Sequence, residues 1–212
     1  MEKSFRTSTL LAAGLGMVIA GGAGYGVYQF AKQRADERAV VRVVGETTAQ
    51  LRSVLKTPSA GVAATIERNL EVARGWSNVY MADAAEHYVV GAREIARQRA
   101  EAARHAQKFA ASRAALVTHM SHAERRGPGW IRTASQLKKQ LERDHFELES
   151  SLNTLVELLE SLPEAQKRLS PYVERSLILE DGLRVQARQR ALDDLKRAAL
   201  ELEKARSLAP RF

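Results

Sequence analysis

Residues 137–162 read LKKQLERDHFELESSLNTLVELLESL, and their leucines decide the architecture. Leu137, Leu141, Leu148, Leu152, Leu155, Leu159 and Leu162 recur at three and four residues, which gathers them on one side of an α-helix. Leu141, Leu148, Leu155 and Leu162 keep a strict seven-residue interval, the spacing of a coiled-coil seam. Asp144 and Ser151 occupy the positions between them, so the seam is coiled-coil-like rather than an uninterrupted zipper. Full burial of one leucine stabilises by about 2 kcal/mol, and a stripe of seven can anchor a bundle.

Downstream, Ser161-Leu162-Pro163-Glu164 reads as a capping box and Ser170-Pro171 as a second helix start, with proline at the first helical position. A last helix is expected from Pro171 to about Leu208, with Leu177, Leu192, Leu195, Ala199 and Leu202 inward and a dent at Gly182. Upstream, Gly127-Pro128-Gly129 is the clearest turn in the chain. Before it, Ala92, Ala96, Ala100, Ala103, Ala106, Ala110, Ala114 and Val117 recur at three and four residues. Such small side chains predict a close-packed helix neighbour on that face. Arg93, Arg97, Arg104, Lys108 and Arg113 define a solvated face opposite.

The stretch from Ala60 to Arg126 is helical throughout by composition, as one rod or as two helices. Gly75-Trp76-Ser77 is the preferred break, with Gly75 closing one helix and Ser77 capping the next, and Gly91 is a weaker one. Thr57-Pro58-Ser59 ends the helix before it, because proline disfavours helix in the residue that precedes it, and Ser59 is placed to cap the next. Ala39, Val40, Val43, Val44 and Leu51 give that earlier helix a modest apolar stripe. Strand signals are essentially absent.

At the N-terminus, residues 7–31 (TSTLLAAGLGMVIAGGAGYGVYQFA) carry no charge. As a helix they measure about 37 Å, enough for a bilayer core of about 30 Å. Ala12, Gly16, Ala20 and Gly24 lie in one row, and Gly22 and Gly26 form a GxxxG pair in a second, small-residue surfaces of the kind that pack membrane helices. Tyr25 and Tyr28 stand near the end where amphipathic rings favour the headgroup layer. The fold expected is therefore all-α: an N-terminal tail and single transmembrane signal anchor (1–31), a membrane-proximal helix (32–58), and an elongated antiparallel bundle of three to four long helices (59–212) with its hairpin turn at 127–129. The rival reading is a signal peptide cleaved after Ala20, which would release an exported soluble bundle. Counting Lys32, Arg34, Arg38 and Arg42 against Lys3 and Arg6 leans the bulk towards the cytoplasm, whereas a short basic tail before an apolar stretch looks like an export signal. The bulk is read as periplasmic, on a bacterial inner membrane.

The chain has 33 Lys and Arg against 25 Asp and Glu, a net charge of +8. Basic and acidic residues alternate almost everywhere, which describes solvated helix faces rather than a specific nucleic-acid surface. There are no cysteines, which excludes disulfides, thiol nucleophiles, thiolate metal sites and lipid attachment at a cysteine.

No catalytic constellation is present: no Walker A loop, no dinucleotide glycine motif, no GxSxG, no HExxH. Glu142-x-x-His145 is one copy of a motif that di-iron bundles use twice. His119, His122 and Glu124 are spaced to clasp a metal, but read more simply as polar residues near a helix end. His87 and His105 stand alone. Around the turn, Arg125, Arg126, Trp130, Arg132, Lys138 and Lys139 form a basic tip suited to touching a partner, unless Trp130 packs beneath the turn. Trp76 and Tyr80 suit the covering of a bundle end. These residues predict a non-enzyme without metal, cofactor or small-molecule substrate: a membrane-anchored helical scaffold or assembly subunit that contacts lipid, itself and other subunits of a membrane complex. A ligand-sensing bundle is the alternative, and it would need a polar pocket between helices.

Overall fold

The computed structural model describes residues 4–59, 61–122 and 127–209, with side chains from Tyr28 onwards except that of Ala63. Five helices make up the described residues: α1 (Ser4–Lys56), α2 (Val62–Arg74), α3 (Val79–Ser121), α4 (Pro128–Leu169) and α5 (Asp181–Leu208), with one 3₁₀ turn at Arg175–Leu177 before α5. No strand occurs among these residues. The all-helical bundle expected from the leucine stripe is present.

Its spine is the antiparallel pair α3 and α4. In α4, Ala134, Leu141, Leu148, Leu155, Leu162 and Leu169 are all at most 4% exposed. They face a matching row that the alanine pattern conceals: Met81, Tyr88, Ile95, Ala102, Phe109 and Leu116, also seven apart and buried. Each row presents a side chain every two turns to the same neighbour, the condition for interlocking helices over a long distance. At the helical rise of 1.5 Å, the 43 residues of α3 span about 64 Å.

This corrects the expected alanine face. Ala92 and Ala96 are buried, but Ala106, Ala110 and Ala114 are exposed and Val117 is 37% exposed. The physical reason is area: Phe109 and Leu116 remove far more apolar surface from water than alanines do, so the helix turns those positions inward.

Two different helices flank the spine. Near its base, α1 and α2 cover α3. Thr48 of α1 meets Tyr88, and Pro58 shares a hollow with Arg99, so α1 runs parallel to α3. Val43 and Val54 of α1, Val62, Ile66 and Leu70 of α2, and Val89 and Ala96 of α3 form a second apolar cluster there. Towards the Ser121 end of α3, α5 takes over. Arg188 pairs with Glu160 at 2.9 Å and Arg206 with Glu142 at 3.4 Å, which fixes α5 antiparallel to α4. It presents the small residues Ala187, Ala191, Ala198 and Ala205, with Leu202, to the core.

Several expected boundaries move. The break at Gly75 is where it was anticipated, but Asn78 rather than Ser77 caps α3, its side chain accepting from the Tyr80 and Met81 amides. Gly91 lies inside α3. Ser59 does not cap α2, which starts at Val62 behind Gly61, where Val62 and Ile66 can reach the second cluster. Ser161 and Glu164 form no capping box. The helix continues through Pro163, although an interior proline costs about 3 kcal/mol. Leu159 and Leu162 before it and Leu169 after it are buried on the same seam, so packing on both sides overrides the break.

The last helix starts at Asp181, not at Pro171. Residues 170–180 instead form a strap whose Val173, Ile178 and Leu179 insert into the core. Gln166 Nε2 donates to the Leu179 carbonyl at 2.8 Å and ties the strap down. Leu177 lies in the 3₁₀ turn and packs partly buried beside Gly45. Gly182 is the second residue of α5 rather than an interior one, Leu192 and Leu195 are half-buried, and Ala199 is exposed.

Candidate functional site

The side chains that carry polar chemistry lie at layers between helices. Tyr88 is fully buried, and its hydroxyl is 3.0 Å from Thr48 Oγ1, which itself donates to the Val44 carbonyl at 2.7 Å. A backbone hydrogen bond at Leu179 also reaches that hydroxyl, so Tyr88 pins α1, α3 and the strap together. Burial raises the phenol pKa above its ordinary value, opposed by the bonds to Thr48 and Leu179 and by the charge of Arg52. Asn69 Nδ2 donates to Thr47 Oγ1 at 3.1 Å and joins α2 to α1.

Two further layers lock α3 onto α4 at the positions where the leucine seam is interrupted. Gln98 Nε2 donates to Ser151 Oγ at 2.8 Å and to the Ser151 carbonyl at 3.0 Å. Ser112 Oγ donates to Asp144 Oδ2, and Gln140 Nε2 donates to Asp144 Oδ1 at 2.9 Å. Buried polar groups need such partners, because leaving one unpaired costs about 1–3 kcal/mol. Since each pairing exists in one register only, these layers act against sliding of the two long helices.

The leucine interface is spent inside the chain. Leu141, Leu148, Leu152, Leu155, Leu159 and Leu162 are at most 4% exposed, and Leu137 is partly buried against the same core. The stripe is therefore part of the core and not an exposed surface. The packing row Ala12, Gly16, Ala20 and Gly24 and the pair Gly22 and Gly26 belong to helix α1, but their side chains lie outside the described residues. Among the described residues, no helix is long and apolar enough to cross a membrane.

At the tip, Arg125 and Arg126 lie outside the described residues. Trp130 is half-buried and stacks on His119, ring centroids 5.0 Å apart and 20° from parallel. Its Nε1 donates to the His119 carbonyl at 3.3 Å, and His119 Nε2 lies 3.0 Å from the Trp130 carbonyl. The tryptophan thus packs beneath the turn and closes the hairpin, leaving Arg132 exposed on the tip.

The histidines do not converge. His105 is 3.1 Å from Glu147, His87 bonds the Asp83 carbonyl at 2.8 Å, and His145 meets the Phe109 ring edge-on at 5.7 Å. Glu142 turns away to Arg206. No group of three metal-ligating side chains occurs among the described residues.

One hollow of about 360 Å³ opens between α3, α4 and α5. Ala102, Ala106, Phe109, Leu148, Leu152 and Ala198 make its apolar wall, and Arg99, Asp194, Arg197 and Glu201 its charged rim. Burial lowers the Arg99 pKa, with Asp194 opposing that shift and Arg190 adding to it. The carboxylates are already engaged, Glu201 with Arg113 at 2.6 Å and Asp194 with Arg197 at 3.4 Å.

Sequence reasoning missed Tyr88, Gln98 and Arg99. The seven-residue spacing from Met81 to Leu116 was the available signal, hidden by the denser alanine pattern. The site and the fold define an elongated helical bundle with polar register locks. No known protein family, curated protein or solved structure matches this chain.

Proposed function

We propose that this chain is a non-catalytic, single-pass membrane-anchored helical scaffold or assembly subunit of a bacterial envelope complex, with its bulk on the periplasmic side of the inner membrane. One observation carries the reading: α1 is a single helix from Ser4 to Lys56. The uncharged segment 7–31 therefore runs without a linker into Val40, Val44, Leu51 and Leu55, which are buried in the bundle. A stiff connection of that kind suits placement. The apolar segment holds the base, and the α3–α4 hairpin presents its tip about 60 Å away by the helical rise. Partners are lipid, further copies of the chain and neighbouring subunits, acting on the exposed helix faces.

The test is crosslinking in native membranes, with identification of what co-purifies, together with a reporter fused at Phe212 to report sidedness. A mature form lacking the first twenty residues, recovered free after osmotic shock, would refute the anchor in favour of an exported soluble bundle. The hollow between α3, α4 and α5 supports a second reading, a ligand-sensing bundle. Protection of Arg99 from chemical modification by a periplasmic extract would favour it.

A further inference from the structure

We propose that the α2–α3 turn is a second membrane contact, an apolar foot that rests in the headgroup layer beside the emerging anchor; this rests on the anchored reading above. The turn and the anchor are far apart in sequence, and the fold brings them to one level. Gln29, Lys32, Gln33 and Asp36 of α1 line a single hollow of about 300 Å³ with Ser77, Asn78 and Met81. Because α1 runs parallel to α3, everything in α1 before this level projects past the base of the bundle. From Ser4 to Val27 that is about 36 Å of helix, close to the thickness of a bilayer core.

What the turn exposes at this level fits lipid. Val79 is 73% exposed and Tyr80 81%. The Asn78 cap holds both at the first turn of α3, where the helix end leaves them clear of the bundle. On α1, Tyr28 and Phe30 are exposed at the matching height, and Arg34 lies over the Phe30 ring at 4.8 Å. Aromatic rings with a polar edge favour the membrane interface, and nearby cations favour anionic headgroups. Residues 72–82 contain no acid, and Arg74 is held by Glu86 at 2.7 Å. Trp76 packs half-buried against both apolar clusters and supports the turn from within. One helix through a bilayer leaves its domain free to tilt. A second contact beside it removes that freedom and sets which faces of the bundle meet neighbours.

The two tryptophans give a built-in test, since Trp76 lies at the foot and Trp130 at the far tip. The full chain would be reconstituted in phosphatidylethanolamine–phosphatidylglycerol vesicles carrying lipid brominated near the top of the acyl chain, and purified by flotation. In a Trp76→Phe, Tyr80→Trp, Trp130→Phe protein the introduced indole, then the only one, is expected to lose at least about half its emission, while Trp130, the only indole of a Trp76→Phe protein, keeps its own. Wild-type Trp76 read in a Trp130→Phe background guards against misfolding of the first variant. If the chain floats but the foot is quenched no more than Trp130, the foot is refuted and the anchor stands. A protein partner occupying the turn in the cell would give that same result. If the chain does not float, both readings fall.

Discussion

Truncating Ile95 separates the seven-residue row of α3 from the alanine face that the sequence pattern favours. Ile95 is fully buried opposite the leucine seam. Ile95→Ala removes three carbons, and at about 0.8 kcal/mol each the lost transfer energy is about 2.4 kcal/mol. If roughly 60 Å³ stays open, the cavity adds about 1.5 kcal/mol at 24 cal/mol per Å³. The expected loss is therefore about 2.5–4 kcal/mol. The matched controls are Ala110→Gln and Ala114→Gln. Both positions are exposed, and glutamine is a good helix former, so each should change stability by no more than about 0.5 kcal/mol. Urea unfolding in mild detergent, followed by circular dichroism at 222 nm, measures all three. A loss under 1 kcal/mol for Ile95→Ala, with larger losses for the two glutamines, would show that the alanine face is the packed one and refute the seam.

Gly91 sits inside α3, where an added Cβ would meet Leu162 Cδ1 at 3.8 Å, an ordinary contact. Gly91→Ala should therefore stabilise the chain by about 1 kcal/mol through helix propensity, and a lower urea midpoint would contradict this. Tyr88→Phe removes the hydroxyl that joins Thr48 to the strap and should cost about 1 kcal/mol near neutral pH. Because burial raises the folded-state phenol pKa, the unfolded chain ionises first. Stability is intact below the ordinary phenol value near 10 and falls as pH rises beyond it. The alkaline loss should be smaller in Tyr88→Phe, and equal alkaline slopes would contradict the burial. Asp144→Leu leaves Ser112 without its acceptor and is expected to destabilise, whereas the double variant with Ser112→Ala should recover at least part of the loss. Purely additive losses in that cycle would show that the two side chains do not interact.

The fold class was legible because leucines at three, four and seven residues can share a face only on a helix, and residues 137–162 repeat that spacing over seven turns. The end of α1 before Pro58 and the break at Gly75 were equally local, since proline and glycine act on their own backbone, whereas Gly127, Pro128 and Gly129, expected as the turn itself, cap and open α4. Three features depended on the tertiary structure. Which face of α3 turns inward was decided by area, because only the folded hairpin sets Phe109 and Leu116 against α4 and leaves Ala110 and Ala114 in water. Whether Pro163 breaks α4 was decided by Leu159, Leu162 and Leu169 packing on both sides of it. The groups that meet Tyr88 and Gln98, and the Ser112 that meets Asp144, come from other elements, tens of residues away in the chain. Local periodicity determines that a segment is helical. The side of it that becomes core is settled by competition between faces for one neighbour, and that competition begins only once the helices meet.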